Sequence, residues 1–544
     1  MRPLRVLCGC STIVVAAFVL HVHGQGPASP RVLFDHFAPS AIEGDNRPDR
    51  SHAPDSPETR RRLSLRADAS VGDRTDRRGR HYLPGRVVVK FREAASTAAR
   101  LAAVAAAAPA ANISSRPSYA DFDLVTIGAN DDAESVVDAL ASRGEVEYAQ
   151  LSYRMRPKFK PNDKFYEDQW NLPLIGMESA WDIQPSAGST ITVAVLDTGV
   201  AYTNVTLDFR GTAFTVDSDG DIGPPFGVGT RYPALGPVRL SFVAATELGP
   251  STRFVSPHDF IWDDETPVDM DGHGTHVSGT IGQLTNNASN GTGDTRNAGG
   301  TAGIAFNVKI MPVKVISTQW DDIFLSPHVG TDDIVARGIR YAADNGAKVI
   351  NMSFGEIGDS SPVIESAMRY AAGKGVFMAI SAGNEFEDGN PTEIPASIAQ
   401  RVDGAVSVAA IDRAKNHAYY SNTGSWVELA APGGSFRGFD KVGGVLQQTL
   451  DLLVVETYMS SPAQFTAPRF DALAYYYFTG TSMAAPHVSG VAAMLMQQGI
   501  TDPAAIEAAL EKFATDLGDP GRDPMFGFGL VEARNTLRGL GLTK

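Results

Sequence analysis

Three short segments of this 544-residue chain combine side chains that can do acid–base and nucleophilic chemistry. Asp197 follows the apolar run Thr192-Val193-Ala194-Val195-Leu196 and precedes Thr198-Gly199, so a carboxylate stands at the end of a buried strand, where open α/β sheets carry their sites. His273 lies in Asp271-Gly272-His273-Gly274-Thr275-His276, between glycines that let other backbone come close to the ring. Ser482, in Gly480-Thr481-Ser482-Met483-Ala484-Ala485-Pro486-His487, opens an apolar helical stretch. The free N–H groups of such a helix start favour a developing negative charge.

Each segment alone has a plainer reading. A serine at a helix start is usually a cap, and a carboxylate after a strand can be a cap or a metal ligand. The tripeptide Asp197-Thr198-Gly199 also occurs in aspartic peptidases, but those need two such aspartates and this chain has one. His273 and His276 are three apart with no glutamate between them, unlike the helical zinc peptidase motif, so His276 is assigned to packing. The Gly-x-Ser-x-Gly nucleophile motif of esterases is absent around Ser482.

Together, and in the chain order Asp, His, Ser, the segments resemble the three signature stretches of the subtilisin-like serine peptidases. The resemblance spans about residues 162 to 537 and includes Phe526-Gly527-Phe528-Gly529 near the end. It implies a triad in which Ser482 attacks the peptide carbonyl, His273 moves the proton and Asp197 orients the imidazole. Ser381-Ala382-Gly383-Asn384-Glu385 is similar to the family segment whose asparagine donates to the oxyanion, which makes Asn384 the fourth catalytic residue. Ser353-Phe354-Gly355 resembles the edge that binds an extended peptide, although the family more often has Leu where Phe354 stands, and Glu385 falls at the pocket rim. The resemblance implies a broad, apolar-leaning specificity, no cofactor for catalysis, and structural calcium with Asp163 and Asp208 as ligands. Asp217-Ser218-Asp219-Gly220-Asp221 has its glycine one place early for an EF-hand and is read as a surface turn.

The elements that must position these residues are legible in the apolar runs. Beyond residue 165, runs at 191–196, 308–315, 349–353, 376–380 and 405–409 alternate with amphipathic stretches, the pattern of an α/β fold with a mostly parallel sheet covered by helices on both faces. Thr331-Asp332-Asp333 opens one helix, which stops at Gly346, and Ser361-Pro362 opens another. Ahead of this body, strands at 86–91, 123–127 and 146–151 and helices near 94–109 and 131–143 form a small α+β unit over 83–156, ferredoxin-like in its resemblance to the family propeptide. The peptidase domain then runs over 161–544, with two long insertions at about 210–262 and 434–475.

Residues 1–24 have a basic start and a short apolar run, as a cleaved signal peptide does, and 25–82 read as a disordered basic linker. The only cysteines, Cys8 and Cys10, lie within the signal, so the exported chain has no thiol. Residues 1–160 carry 23 basic and 18 acidic side chains and the remainder 24 and 44, so leader and body have opposite net charge. A total of −15 argues against nucleic acid as a partner. The expected molecule is a secreted monomer without a stable membrane anchor that acts on proteins and peptides, made as a precursor whose propeptide inhibits it until cleavage between Leu151 and Pro161, after Leu151, Tyr153 or Met155.

Overall fold

The computed structural model describes residues 74–539, apart from 78–79, 115, 117–118, 129, 155–158, 217–228, 288–299, 438–441 and 457–461. The signal segment, most of the basic linker and the Asp217 to Asp221 turn lie outside the described residues. The chain divides into two compact units that meet in sequence near residue 157.

The smaller unit is a five-stranded sheet with two helices on it. Strands β1 (Arg74–Thr75), β2 (His81–Phe91), β3 (Asn112–Ile113), β4 (Asp123–Thr126) and β5 (Val146–Tyr153) are all antiparallel, with β2 flanked by β4 and β5, and β3 outside β4. Helices α1 (Thr97–Ala107) and α2 (Ala133–Ala141) give β2 to β5 a β-α-β-β-α-β order, the ferredoxin-like arrangement expected. Alternation along β2 buries Val87, Val89 and Phe91 against Val104, Val136 and Leu140. The ordered region starts before residue 83: β1 pairs with His81 and Tyr82, and Asp76 accepts hydrogen bonds from Arg80 and Tyr153. The arginine run that looks like a solvated linker thus supplies a partner for this edge.

The larger unit is built on seven parallel strands: β6 (Thr192–Asp197), β7 (His258–Asp259), β8 (Lys309–Lys314), β9 (Val349–Met352), β10 (Phe377–Ser381), β11 (Ala405–Ile411) and β12 (Val427–Pro432), in spatial order β7-β8-β6-β9-β10-β11-β12. Their residues are buried on both faces, which is why the runs are continuous rather than alternating. One face is covered by α3 (His273–Gly282) and α6 (Thr481–Gln497), the other by α4 (Asp332–Asp344) and α5 (Pro362–Gly373). Thr331 and Ser361 do precede α4 and α5, but neither side chain caps a backbone N–H: Thr331 Oγ1 donates to Asp333, and Ser361 Oγ donates to Asp332, tying the two helix starts together.

A buried ion pair and two insertions complete this unit. Lys314, beside Asp197 in the β8–β6 register, is fully buried and donates to Asp321 at 2.8 Å. Such a pair holds because leaving either charge alone costs about 3–5 kcal/mol. The 434–475 insertion supplies an antiparallel ribbon, Val445–Leu450 with Leu473–Phe478, packed on α3. The 210–262 insertion contributes part of a hairpin, Val205–Arg210 with Pro237–Phe242.

Candidate active site

Parallel strands end together, so register decides which residues meet. Met352 pairs with Leu196, which sets Ser353 next to Asp197 at the carboxyl end of the sheet, and Ile380 lies one strand further along the same row. Asp197 is 1% exposed and His273 4%. His273 Nδ1 donates to Asp197 Oδ1 at 2.7 Å, and the same oxygen accepts Thr198 N at 2.8 Å. This fixes the tautomer that leaves Nε2 for proton transfer. The glycines around His273 are there for close approach: Gly272 has φ +104°, and a Cβ on Gly274 would collide with the carbonyl of Gly199 and meet Asp197 at 3.1 Å.

The loop before α3 is organised by Asp269, which belongs to none of the signature stretches. Its Oδ1 accepts from Thr198 Oγ1, Asp271 N and Gly272 N, and its Oδ2 from Thr275 N and Oγ1, so the strand end bearing Asp197 and the helix start bearing His273 share one buried carboxylate. The signal for it lies in Asp269-Met270-Asp271-Gly272, an Asx-turn pattern just before a helix. Burial disfavours the His273 imidazolium, but the charge and hydrogen bond of Asp197, with Asp271 and Asp269 behind, outweigh it and push the ring up to about 9. His276, one turn on, is a packing residue. Its ring stacks on Phe478, Nε2 donates to the carbonyl of Val445, and burial lowers it to about 3.

Ser482 is the second residue of α6, preceded by Gly480 and Thr481. Its hydroxyl donates to Ser353 O at 3.1 Å, while Ser353 Oγ donates back to Ser482 O at 2.9 Å. The Ser482–His273 hydrogen bond is not made, and Nε2 has no hydrogen-bond partner. Bonds of this kind commonly close only when substrate binds. Asn384 Oδ1 accepts Thr481 N at 2.9 Å and Thr481 Oγ1 at 3.0 Å, which turns its amide nitrogen away from that contact. A Cβ on Gly480 would stand 3.6 Å from Ser482 N and 3.8 Å from Asn384 Nδ2, so the two candidate oxyanion donors lie on the same side of the α6 start. Farther along α6, Ser489 donates to Asn351, whose amide donates to Ser353, so the helix and the β9 edge are pinned together. His487 accepts from Asn171 and donates to Met483 O, and burial holds it neutral.

A model of the subtilase family matches residues 188–529 of this chain. The chain is a subtilase. The fervidolysin N-terminal prodomain model matches residues 69–152 of the same subtilase, starting close to β1. The subtilase is 28% identical over 459 residues to a thermophilic serine proteinase of Bacillus sp. strain AK1, covering 84% of this chain and 88% of the relative. It is 30% identical to thermitase of Thermoactinomyces vulgaris over 67% of this chain and 94% of the relative. A solved protease from Pseudoalteromonas arctica superposes with a TM-score of 0.50 at 27% identity, over 70% of this chain and 99% of that one. The subtilase is therefore a serine endopeptidase with an N-terminal prodomain, acting on protein substrates.

Of the remaining expected site residues, Ser353, Phe354 and Gly355 directly follow β9, with Phe354 buried. Glu385 is turned back on its own loop, where it accepts from Asn384 N at 2.7 Å. The two acids expected to share a calcium ion face different surroundings. Asp163 is buried, with Oδ2 accepting from Asn286 N, whereas Asp208 is exposed and forms a two-point pair with Arg239 across the hairpin. Asp208 is committed to that pair because it and Arg239 stand directly opposite in the register.

In the triad that the resemblance implies, only the neutral imidazole can accept the Ser482 proton, and the surrounding carboxylates hold the proton on the ring. For the mature enzyme on a peptide substrate, kcat/KM should rise with pH along a limb centred above the ordinary histidine value of 6.5, toward 9. A limb centred below 6.5 would show that burial, and not Asp197, governs His273.

Proposed function

We propose that the enzyme is a secreted monomer, held without a membrane anchor, which cuts its own precursor once between residues 151 and 161 and releases the α+β unit that inhibits it. The observation that carries the catalytic assignment is the buried Asp197–His273 hydrogen bond at the strand end beside the α6 start. In the reaction, Ser482 Oγ forms a bond to the substrate carbonyl carbon as its proton passes to His273 Nε2. The oxyanion accepts from Asn384 and Ser482 N, and the proton then goes to the leaving amine. Losing one such donor costs subtilisin on the order of 10²–10³-fold in kcat.

One observation favours export: the apolar start of the chain reads as a cleaved signal. Ser482→Ala should accumulate as uncut precursor without activity on casein. A variant that matured alone and digested casein would overturn the assignment, and a secreted chain starting at Gln25 would overturn the precursor cut.

Structural calcium fits one of the two expected places. Asp163 Oδ1 and Asn287 Oδ1 are buried oxygens without hydrogen-bond partners, the donor type a hard cation takes. Burial also raises Asp163, which bound calcium would reverse. Among the described residues no cluster of three acidic, histidine or cysteine side chains forms a metal site, so carbonyl and amide oxygens would complete it. With the inactive Ser482→Ala chain, chelator should lower Tm and added calcium restore it, and Asp163→Ala should remove the response. A calcium response that survived Asp163→Ala would place the ion elsewhere.

A further inference from the structure

Two backbone segments flank the start of α6 that carries Ser482, Ser353 to Gly355 after β9 and Ala382 to Asn384 after β10. Each is fastened to the start of α6, the first through Ser353 and Ser482, the second by Gly383 N donating to Thr481 Oγ1 at 3.2 Å. A substrate side chain on the acyl side of the cut bond enters between walls of this kind, and what closes the far end decides what fits.

Between the two segments lies Glu393, from a short antiparallel ribbon that joins Glu356–Ile357 to Glu393–Ile394. One carboxylate oxygen lies where a Cβ on Gly355 would be, and the other where a Cβ on Gly383 would be. The group is thus wedged between both walls, and only glycine on each side leaves room for it. Glu393 is 5% exposed. Its Oε1 accepts from Asn422 Nδ2 at 2.8 Å, and the same amide donates to Glu385 Oε2 at 3.4 Å. Two carboxyl groups thus share one neutral donor, and no ion pair among the described residues joins either of them to a cation.

Resting on the peptidase reading above, we infer that Glu393, with Glu385 beside it, makes this a pocket for a cationic side chain, so that the enzyme cleaves after Arg or Lys. This replaces the apolar-leaning specificity implied by the family resemblance. A carboxyl group buried without a cation is costly, and here the cost falls in the cleft where the substrate binds. Burial, then the hydrogen bond and charge of Glu385, with Glu356 adding, push Glu393 up to about 10. The empty pocket therefore keeps a proton at neutral pH. Binding exchanges it: the ammonium or guanidinium enters, the proton leaves to solvent, and the carboxylate pairs with the incoming cation. The stretch where the precursor is to be cut offers Arg154, Arg156, Lys158 and Lys160.

The test is kcat/KM for peptides that differ only in the residue before the cut, Arg or Lys against Phe or Leu. The wild-type enzyme should favour the basic peptides by at least about tenfold. Glu393→Gln should lower the basic peptides by on the order of 100-fold while the apolar ones hold or improve. A wild-type preference for Phe, Leu or Ala would overturn the inference, as would a Gln variant that loses both classes equally, the mark of a merely structural role. If the variant does not mature, the wild-type ratio decides. Hydrolysis of no peptide by a chain that has been cut to its mature length would instead overturn the peptidase reading, and this inference with it.

Discussion

The hydrogen bond from His273 to Asp197 is the constraint on which the rest of the large unit depends. A carboxylate that is 1% exposed needs donors, and the two that reach Asp197 Oδ1 come from different parts of the chain. The strand end supplies Thr198 N, the α3 start supplies the imidazole, and Asp269 joins the two through Thr198 and Thr275. The glycines on both sides of the ring follow from the same demand for close approach. The ribbon from the 434–475 insertion then closes over α3, with Phe478 on His276 and Thr449 donating to the carbonyl of Gly272. An insertion without a role in the sequence is thus a lid on the back of the histidine helix.

The parallel sheet was legible because both of its faces are covered. A continuous apolar run of about five to eight residues between amphipathic stretches suits a strand buried on both sides and little else, and each of the five named runs became a strand within a residue or two. The places of Asp197, His273, Ser482 and Asn384 in the fold were legible on a different ground. Each falls where a strand ends or a helix begins, so local sequence announces a position as well as a residue type. What was not legible depends on pairing across long separations. Asp208 reads as a metal ligand until Arg239, 31 residues on, is found opposite it. Arg74 to Arg80 read as a linker until Asp76 is found against Tyr153. The place of Glu393 has no signal in Pro391-Thr392-Glu393-Ile394-Pro395, because nothing local reveals that Gly355 and Gly383 make room for it.

The site also shows how one fold holds buried carboxylates to different ends. Asp197, Asp269 and Asp271 surround an imidazole, and the positive charge they favour is the one that the reaction creates on His273. Glu393 and Glu385 have no cationic partner among the described residues, and in the proposed specificity a substrate cation supplies it. The first group serves the chemistry whatever the substrate. The second ties the rate to the substrate's charge, and its Glu393 is wedged against Gly355 and Gly383 of the two segments fastened to the start of α6.

The central claim is that Ser482 is the nucleophile, activated by the His273–Asp197 pair. The most direct measurement is to treat the folded mature enzyme with a phosphonofluoridate probe and map the modified residue by mass spectrometry. The account predicts one adduct, on Ser482, that forms in the native enzyme and is lost when His273 is replaced by Ala. An adduct at another residue, or none in an enzyme that still digests casein, would contradict it.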